Sequence, residues 1–115
     1  MAYDDALAIR IRQALRQRSD ITERKMFGGL SFLRDGRMCC GVVGHDLVVR
    51  VLDKEMLSTL QRAHVRPMDF TGKPLRGFVY VEPDAITTDD ELRDWIARGL
   101  AFTEQNVSAS RRRSR

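Results

Sequence analysis

The sequence predicts an α+β fold in which helices pack on one face of an antiparallel sheet. Helical patterns stand near both ends, over residues 4–18 and from Thr88 onward, and short strand-like segments with Gly-containing turns lie between them. The 115 residues, 43% of them hydrophobic, suit one compact domain that buries roughly two-thirds of the surface of its unfolded form. The predicted order of elements is α-β-β-β-α-β(-β)-α.

The first helix is predicted over residues 4–18. Leu7, Ile11 and Leu15 recur on one helical face, and the acidic Asp4 and Asp5 stand at the positive end of the helix dipole. We expect the apolar stripe to face a core.

Three strands are predicted to follow as an antiparallel meander. The first strand is expected at Lys25–Arg34, and Asp35-Gly36 suits a tight turn in which Gly36 takes a positive φ. The second strand is expected at Arg37–Val43. In the third, apolar residues alternate from Leu47 to Val51, so one apolar face should meet a helix.

A second helix and a final strand are predicted after the meander. Asp53 is a candidate N-cap for a short helix whose apolar positions include Leu57. The segment Arg66–Leu75 contains two prolines and one glycine, which favours the longest surface loop of the chain. A strand is expected at Gly77–Val81, ended by Pro83.

The last helix is predicted to begin at a capping box. In Thr88-Asp89-Asp90-Glu91 the Thr88 hydroxyl can accept from the N–H of Glu91 while Glu91 reaches back. The apolar stripe that follows includes Trp95, whereas Phe102 falls on its flank. Partial exposure of Phe102 would indicate a contact surface for a partner.

Gly28 and Gly29 interrupt an apolar strand pattern just before the Asp35-Gly36 turn. Glycine within a strand often marks a bulge or a close backbone approach. We favour a bend of the strand across a packed helix, because no catalytic side chain is nearby, and a groove beside the strand is the alternative. The pair is not a phosphate loop, because no Gly-x-Gly-x-x-Gly or Walker pattern surrounds it.

The segment Arg24–Met38 resembles the opening hairpin of the TfoX N-terminal domain family. The Met-Phe-Gly-Gly run from Met26 to Gly29 and the Asp35-Gly36 turn carry this resemblance, which extends from about Tyr3 to Phe102. It implies the two-layer α/β sandwich of secretion chaperones, which often form homodimers. It also implies regulation, because the better-known members resemble regulators of competence for DNA uptake.

The site predicted from this resemblance is a hairpin that shapes a groove or interface. Its residues are Lys25, Met26, Phe27, Gly28 and Gly29, with Phe102 as a further contact.

Few residues are suited to catalysis. Strand geometry is expected to send Cys39 and Cys40 to opposite faces of the sheet, where they act as small buried hydrophobes of a reducing compartment. His45 and His64 have no second ligand at metal-binding spacing. We therefore expect no enzymatic activity, no metal and no cofactor.

The net charge of +4 comes from the last eight residues. Residues 108–115 contain four arginines and no acid, and the remaining 16 Lys and Arg equal the 16 Asp and Glu. The sequence thus predicts a domain at residues 1–107 and a disordered Arg-rich tail at 108–115. The tail supplies an alternative function, weak nonspecific nucleic-acid binding, through Arg111, Arg112, Arg113 and Arg115.

The preferred hypothesis is a non-enzymatic regulatory or interaction domain that acts through protein contacts. The chain contains no apolar run long enough to span a membrane and no basic-then-apolar leader, so a cytoplasmic location is expected. The predicted partners are unidentified proteins and a second copy of the chain.

Overall fold

A computed structural model of the chain describes residues 3–26, 28–70 and 73–113, and of these the side chains of residues 70, 73–76 and 105–113 lie outside the description. Three helices and six strands make up the described part. The helices are α1 (Asp5–Leu15), α2 (Met56–Leu60) and α3 (Asp89–Arg113). The strands are β1 (Ile21–Met26), β2 (Gly29–Arg34), β3 (Arg37–Val43), β4 (Asp46–Arg50), β5 (Val65–Phe70) and β6 (Lys73–Val81). Short 3₁₀ turns at Asp53–Glu55 and Pro83–Ala85 precede α2 and follow β6.

The six strands form one antiparallel sheet in the order β1-β2-β3-β4-β6-β5. The predicted turn between β2 and β3 is confirmed, because Asp35 (φ 52°) and Gly36 (φ 80°) both take positive φ between the paired residues Arg34 and Arg37. Two positive φ values characterise the hairpin turn whose twist matches that of the flanking strands. Because helices accompany one antiparallel sheet, the predicted α+β class is confirmed.

The main core lies between one face of the sheet and the helices α1 and α3. On α1 the predicted stripe is buried, with Ile11 fully enclosed, and Asp4 caps this helix by accepting from the N–H of Ala6 at 2.9 Å. On the sheet, Leu47 and Val49 point into the same cluster. The expectation that the apolar face of the third predicted strand meets a helix is thus confirmed.

The predicted first strand at Lys25–Arg34 is wrong, because two strands occupy that region. β1 begins at Ile21, and a turn after Met26 reverses the chain into β2, with Met26 opposite Gly29. The sequence of β1 is rich in charged residues and lacks apolar alternation, since an edge strand needs little burial. The alternation of apolar and polar residues that predicts a strand is therefore missing from β1.

The predicted surface loop at Arg66–Leu75 is also wrong over most of its length, because β5 and β6 form a hairpin there. Pro67 is tolerated because β5 is an edge strand. Pro74 lies on β6 before Phe78, where the pairing of β6 with β4 begins. Neither proline removes a donor from a ladder between two central strands.

The second helix differs from its prediction in extent and orientation. Asp53 begins a 3₁₀ turn instead of capping the helix, and α2 itself is five residues long. Leu57 is 80% exposed, although its spacing predicted an apolar stripe. A helix this short buries only the residues that happen to face the sheet, here Thr59.

The last helix begins at its predicted cap. The Thr88 hydroxyl accepts from the N–H of Glu91 at 3.1 Å, and a carboxylate oxygen of Glu91 accepts from the N–H of Thr88 at 3.0 Å. Trp95 is buried and Phe102 is half-buried. The bounds of α3 include residues 108–113 of the expected tail, whose side chains are not described, so the separate disordered tail stays a prediction.

Candidate functional site

The family-like hairpin lies at an open edge of the sheet. β1 pairs with β2 and is the first strand of the sheet order, and its residues Thr22–Lys25 are all exposed. The carboxylate of Glu23 accepts two hydrogen bonds from Arg12 of α1, at 2.8 and 2.9 Å. This pair holds the pKa of Glu23 below its usual range and ties the strand to the helix.

The two glycines serve different purposes in this hairpin. Gly28 has a φ of 73° with open space around it, so it permits the turn that ends β1. A Cβ at Gly29 would stand 2.1 Å from the carbonyl oxygen of Val42 on β3. The sequence predicted a bend within one strand at the two glycines, but the chain reverses there between β1 and β2. The close backbone approach that glycine can indicate does occur, at Gly29. Phe27, predicted as part of this site, lies outside the described residues.

The two cysteines share one side of β3, contrary to the expectation of opposite faces. The register between β2 and β3 shifts at Phe32/Leu33, so that Phe32 faces Cys40 while Leu33 faces Met38. This irregularity leaves Cys39 without an opposite residue and turns both side chains into the main core. Their sulfur atoms are 3.6 Å apart.

The two cysteines are shielded from solvent. Both side chains are fully buried, as predicted. The hydrogen bond between the two sulfur atoms lowers the pKa of the Cys39 thiol and, together with burial, raises the pKa of the Cys40 thiol well above its ordinary value. The ring of His45 contacts Asp4 at 3.3 Å and is largely exposed. A Cys-His pair built on His45 is therefore not assembled in the folded domain.

Phe102 belongs to a cluster that the sequence patterns did not reveal. The guanidinium carbon of Arg50, on β4, lies 4.3 Å from the ring centre of Phe78 on β6 and 4.4 Å from that of Phe102 on α3. Arg50 alternates with apolar residues in its strand, and this pattern gives no information on its aromatic neighbours. The rings that enclose it come from elements 28 and 52 residues away in the sequence, so no local pattern could have found this cluster.

The alternative site in the tail is outside the description. The side chains of Arg111, Arg112 and Arg113 and the whole of Arg115 are not described, so nucleic-acid binding by these residues stays a prediction. Among the residues that the structure describes, no three His, Cys, Asp or Glu side chains are grouped as metal ligands would be. The described helices include none that is both long and apolar enough to cross a membrane.

Residues 13–103 match the model of the TfoX N-terminal domain. The chain belongs to the TfoX N-terminal domain family. The match begins within α1 and ends within α3, so it includes the whole sheet of this TfoX N-terminal domain. None of the curated proteins compared with the chain matches it.

Proposed function

We propose that the chain is a non-enzymatic regulatory domain of the TfoX type that acts in the cytoplasm by binding proteins, including a second copy of itself. The observation that carries this proposal is the position of β1, which belongs to the family-like hairpin and lies exposed at the edge of the sheet. The family membership supports a regulatory domain.

An exposed edge strand offers unpaired N–H and C=O groups to another strand, and proteins usually block such edges with proline, bulges or charged side chains. The opposite edge, β5, carries Pro67 and a register shift beside it. β1 contains neither: it pairs with β2 in unbroken register from Ile21 to Met26. The backbone of β1 is therefore the more open of the two edges, and the charges of Glu23, Arg24 and Lys25 select which strand can add there.

The charges of β1 suit pairing with a second copy. In an antiparallel pairing centred on Arg24, Glu23 of each copy stands opposite Lys25 of the other, which gives two attractive pairs. The same register sets the two Arg24 side chains opposite each other. This contact is repulsive, so the dimer is expected to be weak. Substitutions of the charged β1 residues should therefore change its dissociation constant.

Charge substitutions on β1 test this proposal by sedimentation equilibrium of the full chain. Lys25→Glu is expected to weaken the dimer, because the new carboxylate would face Glu23 of the other copy. Arg24→Thr is expected to strengthen it, because this change removes the repulsion at the centre of the pairing. Lys54→Glu is the control, because Lys54 is exposed in the 3₁₀ turn after β4 and belongs to neither edge strand. A monomer at all concentrations, or equal effects of Lys25→Glu and the control, would contradict self-pairing through β1.

A more specific role in transcription or in competence for DNA uptake is proposed from the TfoX resemblance. It is supported by the family membership and depends on the partner that β1 binds. Cells that lack the chain should then show altered transcription of DNA-uptake genes, and the Lys25→Glu variant should fail to restore it while Lys54→Glu restores it. An unchanged transcript profile in the deletion would remove this role.

A further inference from the structure

A surface cavity of about 280 Å³ lies where the middle of α3, at Phe102, meets the sheet. Its lining residues are Arg37, Met38, Arg50, Phe78 and Phe102, contributed by β3, β4, β6 and α3. Two of the five carry a positive charge, three are apolar, and none is acidic. The cavity is on a different part of the fold from β1, which is three strands away from β4.

The guanidinium of Arg50 lies beside two aromatic rings in this cavity. The rings of Phe78 and Phe102 each approach its guanidinium to within 4.4 Å, and a Cβ at Gly77 would stand 3.3 Å from its Cζ. Gly77 has a φ of 85°, a backbone conformation that favours glycine, and a side chain there would press on the guanidinium. These contacts restrict the orientation of the guanidinium before any ligand arrives.

The charge of Arg50 is incompletely compensated. Its Nε is buried, and the described residues provide that atom with no hydrogen-bond acceptor. Burial lowers the pKa of the guanidinium, and the charge of Asp53 opposes this effect, although Asp53 does not line the cavity. A partly buried cation is costly unless an anion or a set of acceptors accompanies it, and an oxyanion in the cavity would supply the missing negative charge.

We propose that this cavity binds a small organic anion whose carboxylate or phosphate group contacts Arg37 and Arg50 and whose flat apolar part lies against Met38, Phe78 and Phe102. A planar guanidinium with a fixed orientation binds either oxyanion through paired hydrogen bonds. The apolar walls favour a ligand with a ring over a simple inorganic anion. This inference does not depend on the protein contacts proposed for β1.

The test is a titration of the full chain with benzoate, phenyl phosphate and inorganic phosphate at constant ionic strength, followed by ¹H–¹⁵N NMR that includes the arginine Nε–Hε signals. We expect benzoate or phenyl phosphate to shift the Arg50 Nε–Hε signal and the amides of Met38, Phe78 and Phe102 saturably. Whichever of the two binds more tightly identifies the oxyanion. Inorganic phosphate should bind more weakly than phenyl phosphate because it leaves the apolar walls unused.

Two variants and a control complete the experiment. Arg50→Lys keeps the charge but loses the planar pair of donors, so binding should weaken by about tenfold. Phe102→Leu should weaken it less, because one wall becomes smaller. Arg62→Lys is the matched control, since Arg62 also lies over an aromatic ring, at 4.6 Å from that of Trp95, and it does not line this cavity.

The wild-type titration decides the proposal even if a variant fails to fold. No saturable shift with either organic anion, or saturable shifts confined to residues outside the cavity, would overturn it. So would equal affinities of wild type and folded Arg50→Lys.

Discussion

Gly99 shows how one residue can be fixed by its neighbour in space. Glycine in the interior of a helix is less favourable than alanine by about 1 kcal/mol, yet Gly99 stands in the middle of α3. A Cβ at this position would lie 2.1 Å from the carbonyl oxygen of Cys39 on β3. The absence of a side chain therefore lets the helix approach the strand at the point where the two cysteines enter the core.

Substituting Gly99→Ala should destabilise the domain, although helix propensity alone would favour it. The added methyl group must displace backbone on β3, which typically costs about 1–3 kcal/mol. Chemical denaturation measures the change in the free energy of unfolding. Ala97→Gly is the control: it lies at an exposed position of the same helix and measures the effect of helix propensity alone. If Gly99→Ala left the stability unchanged or raised it, the helix would not pack this closely on β3.

At the scale of one element, the start of α3 makes stability depend on pH. Hydrogen bonds from the Thr88 N–H and the Thr87 hydroxyl lower the pKa of Glu91 from its ordinary value of 4.5. A carboxyl group whose pKa is lower in the folded state contributes stability above its unfolded pKa, and that contribution is lost as the pH falls through the folded value. The cap should therefore weaken in acid.

Glu91→Gln should make the loss of stability on acidification shallower. The amide oxygen of glutamine still accepts the hydrogen bond from Thr88, but the side chain does not titrate. The variant should therefore lack the contribution of Glu91 to the fall in stability below about pH 4.5. Denaturation midpoints from pH 6 down to about pH 3 measure it. Asp90→Asn is the control, because Asp90 lies in the same turn and is almost fully exposed; identical profiles for wild type and Glu91→Gln would exclude this contribution.

At the scale of the whole molecule, charge is divided between a neutral body and a basic end. Residues 1–107 carry equal numbers of acidic and basic residues, and the four arginines of residues 108–115 supply the whole net charge of +4. The α3 bounds extend to Arg113, so the main chain up to that residue continues from the folded domain. Any nonspecific attraction to nucleic acid is expected from this end.

Replacing the four arginines of residues 108–115 by glutamine should abolish weak binding to a generic DNA duplex. Four arginines can neutralise at most about four phosphates, so the wild-type binding constant should fall with salt with a log-log slope of no more than about 3.6 in magnitude. Fluorescence anisotropy over a salt series measures the loss of binding in the variant and the salt slope of the wild type. Replacing Arg10, Arg12 and Arg16 by glutamine is the control, and binding that survives the tail substitutions would place a nucleic-acid site on the body.

Local sequence determined much of the architecture of this protein. The Asp35-Gly36 turn, strand β3, the Thr88 capping box and the buried stripes of α1 and α3 were predictable, because each depends on residues within a few positions of one another. The resemblance carried by Met26–Gly29 also identified the family.

Tertiary structure alone decided the features that involve distant or edge segments. β1 forms because β2 offers a pairing partner, although its charged sequence lacks a strand pattern, and β5 accepts Pro67 only because it lies at the other edge. The register shift at Phe32/Leu33 turns both cysteines inward. Arg50 acquires its two aromatic neighbours only because β6 and α3 fold beside β4. These outcomes depend on contacts between elements, and such contacts leave no periodic trace in the sequence.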